Sequence, residues 1–338
     1  MENRNGSASM NKVKEKKNIL LTGAGFSANF GGCLGSQMWT RIFSSPEVQN
    51  HKKLVYFMKQ VAKGSGQTDY KILDFESVYT QVLKVQNFGQ AEKDAMIKAV
   101  ENAYSTLQLS MNEFSKSPNI DLATCMNNLV NPFLIDGNHF FTLNQDLFIE
   151  QNTYLRTNIL WPGINHSSFN SDDASKRILI PETYSFSDLD LKKKSYYIKL
   201  HGSLNWYSSE GNEKIMVIGR TKENEISNFK LLSEYFKIFK NLISDYDVKI
   251  LIIGYGFMDE HINEILRDGI TKHGLKIYVL DPTSVIEFNG RLRFQKNFSL
   301  DQLWDGLCGY FQHKLADLFP PGQTETRLWI DMKRAFFE

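Results

Sequence analysis

From Leu231 to Leu280 the chain repeats one alternation: a helical pattern over about 231–243, the apolar run Val248–Ile253, the loop Gly254-Tyr255-Gly256, a second helical pattern over about 258–269, and a second run Lys276–Leu280. Near-continuous apolar runs of strand length fit strands covered on both faces. Joining two of them through a helix makes a βαβ unit, whose strands lie parallel. This one segment therefore predicts an α/β fold, a Rossmann-like doubly wound parallel sheet.

Other stretches extend the pattern. Asn18–Thr22 is a short apolar run that meets a glycine cluster at once, as a buried strand entering a tight turn does, with a helix expected from about Ser27. His139–Leu143, Tyr196–Leu200 and Lys214–Ile218 also read as strands. Between the first strand and His139, over about 46–130, apolar residues fall at helical spacing around the Gly64-Ser65-Gly66 and Asn87-Phe88-Gly89 turns, and Pro132 is expected to stop the last helix. The resulting division is a flexible leader over 1–17, a Rossmann-like domain over 18–299 with a helical insertion at about 46–130, and two C-terminal helices over 300–338 broken at Pro320-Pro321.

Charge and cysteines narrow the class. Lys plus Arg number 39 against 38 Asp plus Glu, so no global field draws the chain to nucleic acid or an anionic membrane. Apolar runs are too short to span a bilayer. Cys33, Cys125 and Cys308 are isolated from one another, which argues against a disulfide framework and a zinc site and fits a reducing, cytoplasmic setting.

Five constellations fall at predicted strand ends, where an open parallel sheet places its ligand crevice. They are Gly23-Ala24-Gly25-Phe26-Ser27, Thr142 to Asp146, His201 to Ser203, Gly254 to Gly256, and Asp281. Singly, each has a bland reading: a tight turn for the glycines, helix capping for Asn144 and Asp146, a turn-holding imidazole for His201, and a strand-ending turn for Asp281-Pro282. Jointly they flank one crevice. A Cβ in the first glycine loop is expected to block the approach of a pyrophosphate.

The motifs resemble those of the sirtuin superfamily. Gly23-Ala24-Gly25-Phe26-Ser27-Ala28 is similar to its Gly-Ala-Gly-x-Ser loop, Thr142-Leu143-Asn144-Gln145-Asp146 to its Thr-Gln-Asn-x-Asp motif, and His201-Gly202 to its His-Gly. His201-Gly202-Ser203 with Trp206, and Gly254-Tyr255-Gly256-Phe257-Met258-Asp259-Glu260-His261-Ile262-Asn263, resemble a bacterial sirtuin-like subgroup associated with antiphage defence. Deacylating sirtuins carry paired CxxC cysteines for a structural zinc; this chain has none, and Leu143 replaces the usual Gln.

The resemblance implies hydrolysis of NAD to nicotinamide and ADP-ribose, as an NAD-depleting defence activity with no metal or cofactor beyond NAD itself. Its implied catalytic residues are Asn144, orienting the ribose or the water; Asp146, positioning the carboxamide or offsetting positive charge; and His201, bonding a ribose hydroxyl or activating water. Gly23, Ala24, Gly25, Phe26, Ser27, Thr142 and Gly254 would bind the dinucleotide, and Asp281 the adenosine ribose. Asp259, His261 and Asn263, at a helix start, read as capping or subunit contacts, while His166 and Arg220 are secondary candidates. The alternative function is a non-catalytic NAD or ADP-ribose sensor that governs a partner. Expected partners are further copies of the chain and a HerA-type ATPase, with no direct binding to nucleic acid or membrane.

Overall fold

The computed structural model describes residues 17–64, 75–84, 87–114, 119–152, 177–181, 186, 189–219, 222–293 and 301–338. The rest of the leader, most of the polar stretch Asn165–Asp190, His166 and Arg220 lie outside these residues. Among the described residues no helix is long and apolar enough to cross a membrane.

Nine strands run along the described chain: β1 Lys17–Thr22, β2 His139–Thr142, β3 Ile178–Leu179, β4 Tyr196–Lys199, β5 Gly202–Tyr207, β6 Lys214–Met216, β7 Val248–Ile253, β8 Lys276–Leu280 and β9 Leu307–Phe311. Six of them form one sheet in the order β4-β2-β1-β7-β8-β9, and every neighbouring pair is parallel. The chain is an α/β protein of the doubly wound, Rossmann-like class. β2 and β7 are fully buried along their length, which is why both lack the alternation of a half-exposed strand. β3, β5 and β6 form a small second sheet beside the main one.

The order reverses between β1 and β7. From β1 the chain proceeds outward through β2 and β4, and from β7 through β8 and β9, so a crevice opens at the carboxyl ends of the two central strands. Helices Pro46–Gln49, Lys52–Gly64, Phe75–Lys84, Gln90–Phe114 and Leu122–Cys125 fill the connection from β1 to β2. Pro132 sits in the closing single turn Asn131–Leu134, after a turn of wider radius at Met126–Val130.

The C-terminal segment departs from expectation. Helices Leu315–Leu318 and Arg327–Phe337 do flank Pro320-Pro321, but before them the segment forms a short helix, Asp301–Asp305, and β9, the sheet's edge strand against β8. β9 is half-buried except at the exposed Cys308 and has no alternating polar face to announce it. The last helix returns Trp329, Met332 and Phe336 to the core, where the Phe336 ring meets Tyr278 of β8 at 5.1 Å.

Candidate functional site

The predicted site residues sit at five adjacent strand ends. Across the sheet they run His201 after β4, Asn144 after β2, Gly23 after β1, Gly254 after β7 and Asp281 after β8. In-register parallel pairing, which sets Thr142 beside both Thr22 and Lys199 and Ile253 beside Thr22, brings the ends to one level.

At the centre two loops interlock through backbone. Gly23 donates its N–H to the Ile253 carbonyl at 3.0 Å, and Gly25 donates to the Gly254 carbonyl at 2.8 Å. A Cβ on Gly25 would lie 2.7 Å from the Gly254 Cα; one on Gly254, whose φ is +64°, would lie 2.1 Å from the Phe26 nitrogen. The glycines are thus required by loop against loop, before any ligand is considered. The following helix, Ala24–Ala28, is only five residues long. Ala24 is exposed, whereas the Phe26 ring turns into the core beside Phe30 and Phe148, at 5.4 and 6.3 Å.

Around this turn lies a buried polar network. Ser27 donates its hydroxyl proton to Asp146 Oδ2 at 2.7 Å and accepts from Asn144 Nδ2 at 2.9 Å, and the same amide reaches the Gly23 carbonyl at 2.9 Å. Asp146 Oδ1 accepts the Phe148 N–H at 3.0 Å, so this carboxylate both caps a helix start and holds Ser27. With both amide hydrogens committed, Asn144 Oδ1 has no partner among the described residues, and the side chain is half-buried. Thr142 is buried; its hydroxyl accepts from Thr22 at 2.8 Å and from the Asn144 N–H at 3.1 Å, fixing where Asn144 starts. Beneath them Lys199, fully buried, reaches the Asp146 carbonyl and pairs with Glu150 at 2.8 Å.

His201 is buried on the other side of Asn144. Its ring stacks on Phe236 with centroids 6.3 Å apart, and it bonds to the Leu143 backbone. Burial pushes its pKa well below the usual imidazole value, and the nearby Lys222 ammonium acts in the same direction. Its Nε2 lies 3.0 Å from Nε2 of His261, itself pushed down to about 4 by burial against the opposing pull of Asp259.

Asp259 and His261 stand here in place of the expected capping role. Asp259 is the cap residue of helix Glu260–His273 but makes no side-chain cap bond, because Oδ1 pairs with Lys222 at 2.6 Å. Burial would raise the Asp259 pKa, yet Lys222 and the two imidazoles hold it below the ordinary carboxylate range. Lys222 also pairs with Glu76, of helix Phe75–Lys84, at 2.9 Å. Asn263 braces the turn by donating to the Phe257 carbonyl and accepting from Tyr255, each at 2.8 Å. Phe257 takes φ +56°, unusual for an aromatic residue.

Asp281 lies at the far end of the row. Its Oδ1 accepts from the Thr283 hydroxyl and N–H at 2.6 and 2.8 Å, and its Oδ2 accepts from Arg291 at 2.8 Å. Burial alone would raise its pKa; these bonds turn the shift downward. Gln145, absent from the sequence-derived set, accepts from Tyr104 of helix Gln90–Phe114 at 3.1 Å and donates to the Val217 carbonyl at 2.9 Å.

All three cysteines are free, two of them buried. No curated protein matches the chain. Residues 138–301 match the family model described as SIR2-like domain, and this match, on a doubly wound parallel sheet, supports a sirtuin-like kinship and NAD-related activity.

Proposed function

We propose that the chain is an NAD glycohydrolase that cleaves NAD to nicotinamide and ADP-ribose and acts by depleting NAD in antiphage defence. The observation that carries this reading is the row of five strand ends, with Asn144 and the neutral His201 at one end and Asp281 at the other. Four strand spacings of about 4.8 Å make about 19 Å, the length scale of an extended dinucleotide. The nicotinamide ribose would lie over Asn144 and His201, the pyrophosphate over Ala24 and Gly254, and the adenosine ribose near Asp281.

In this reaction the bond from ribose C1′ to the nicotinamide nitrogen breaks, and its electron pair neutralises the ring as it leaves. The C1′ cation then takes the oxygen of water, and one water proton departs. Asn144 Oδ1 is available to orient the water or a ribose hydroxyl, while Gly23 and Ser27 hold its amide. His201, uncharged because it is buried, has the capacity to accept the proton. Asp146 spends its carboxylate on Ser27 and Phe148, so its part is to position Ser27 and, through it, Asn144.

Purified protein incubated with NAD should release free nicotinamide, and Asn144→Ala or His201→Ala should cost about a hundredfold or more in kcat/KM. NAD binding without turnover would favour the sensor reading, and unchanged turnover in both variants would sink the residue assignment. Self-association, and binding to a HerA-type ATPase, complete the proposal; native mass measurement of the chain alone and with that partner tests them.

A further inference from the structure

His201, His261 and Asp259 each offer one ligand atom, and these three atoms lie within 4.8 Å of one another. The two Nε2 atoms are 3.0 Å apart. Ligands held at about 2.0–2.1 Å around a tetrahedral ion stand roughly 3.3 Å apart, so the two imidazoles need part by only about 0.3 Å, and the Asp259 oxygen need close in by at most about 1.5 Å, to admit one. The surroundings are those of a ligand set. His201 is held from behind by the Leu143 backbone, as metal-bound imidazoles commonly are, and Asp259 is oriented by Lys222. Of the three charged groups in the cluster, Lys222 carries one positive charge against the two negative ones of Glu76 and Asp259, which leaves a net negative charge to meet a cation. His261 and Asp259 are only partly covered, which provides an entry path for the ion.

We propose that His201, His261 and Asp259 form a three-ligand site for a zinc-class divalent cation, and that the bound ion, by taking the His201 nitrogen, holds NAD cleavage in check. Two imidazoles and one carboxylate suit zinc and its neighbours better than magnesium or calcium, which prefer an all-oxygen shell. The proton shared by the two Nε2 atoms moves to a far ring nitrogen or leaves as the ion enters. The binding half stands on the geometry alone, whereas the inhibitory half rests on the NAD-cleaving reading given above.

The test uses the whole chain, stripped with a chelator and titrated with Zn²⁺ by calorimetry and with Co²⁺ by visible absorption. One high-affinity ion per chain is expected, with the absorption of nitrogen-ligated Co²⁺ and no comparable response to Mg²⁺. Asp259→Asn and His261→Gln, chosen to keep side-chain size and checked for folding by circular dichroism, should each bind about a hundredfold more weakly. Equal affinity in both folded variants, or no stoichiometric binding by the parent, overturns the site. In parallel, nicotinamide release should fall as one equivalent of Zn²⁺ is added and return with chelator. Stoichiometric binding that leaves release unchanged overturns the inhibitory half. A stripped protein that binds Zn²⁺ yet never releases nicotinamide counts against NAD cleavage and not against the metal site.

Discussion

Replacing Lys199 by Met removes an ammonium that is wholly enclosed, with side-chain exposures of 0% for Lys199 and 1% for its partner Glu150. Met preserves most of the stem, so the change leaves the Glu150 carboxylate without its 2.8 Å ion pair and the Asp146 carbonyl without its donor. Breaking one side of a buried pair costs about 3–5 kcal/mol. Burial already raises the Glu150 pKa against the pull of Lys199, so the variant should bind a proton there. With an unfolding entropy of about 2.1 cal/mol/K per residue, 338 residues give about 0.7 kcal/mol/K, so Tm should fall by about 4–7 °C in scanning calorimetry. Adding Glu150→Leu removes the stranded carboxylate and should bring the deficit back to about 1–3 kcal/mol, the cost of the unpaired Asp146 carbonyl. Equal additivity of the two single changes in the cycle would refute the idea that the pair acts as a unit. NAD turnover separates the two effects: if Lys199 positions the loop of Asn144, turnover stays low in the double variant even where stability returns.

Gly254→Ala should destabilise by more than the about 1–2 kcal/mol of a left-handed backbone, since its Cβ would sit 2.1 Å from the Phe26 nitrogen; Gly274→Ala, at φ +70° with nothing within 4 Å, should cost only that backbone amount. Equal calorimetric losses for the two would count against the interlocked loops. His139, held down at about 4 mainly by burial, is neutral in the fold while an unfolded chain protonates near 6.5. Its contribution, of order 3 kcal/mol, is present above pH 6.5 and lost as pH falls toward 4, because the unfolded state binds the extra proton across that window. His139→Phe should flatten the denaturant-measured stability over pH 4–6.5, and an unchanged slope would contradict this.

The strand-end positions were legible because each belongs to a local pattern: an apolar run, then glycine, an Asx residue or His-Gly. Asp259 shows where local pattern misleads. At a helix start an aspartate reads as a cap, but its carboxylate goes to Lys222, 37 residues earlier, and such pairings leave no local trace. His261 was hidden for the same reason, since its contact with His201 spans 60 residues. The glycine loop on its own reads as room for a pyrophosphate, yet its tightest neighbours are the backbone of the β7 loop. β9 escaped because an edge strand paired on one side needs no alternation, and its Cys308 and Gly309 give no strand signal.

Lys222 joins Glu76, on a helix between β1 and β2, to Asp259 at the mouth of the crevice. An ammonium shared by two carboxylates couples their positions, and such a linkage runs in both directions with the same free energy. Whatever draws Glu76 aside alters how Asp259 is held beside the histidines, and whatever enters beside the histidines is felt on the helical layer to the same degree. One side chain thus gives the helix of Glu76 a reciprocal reading of what the crevice contains.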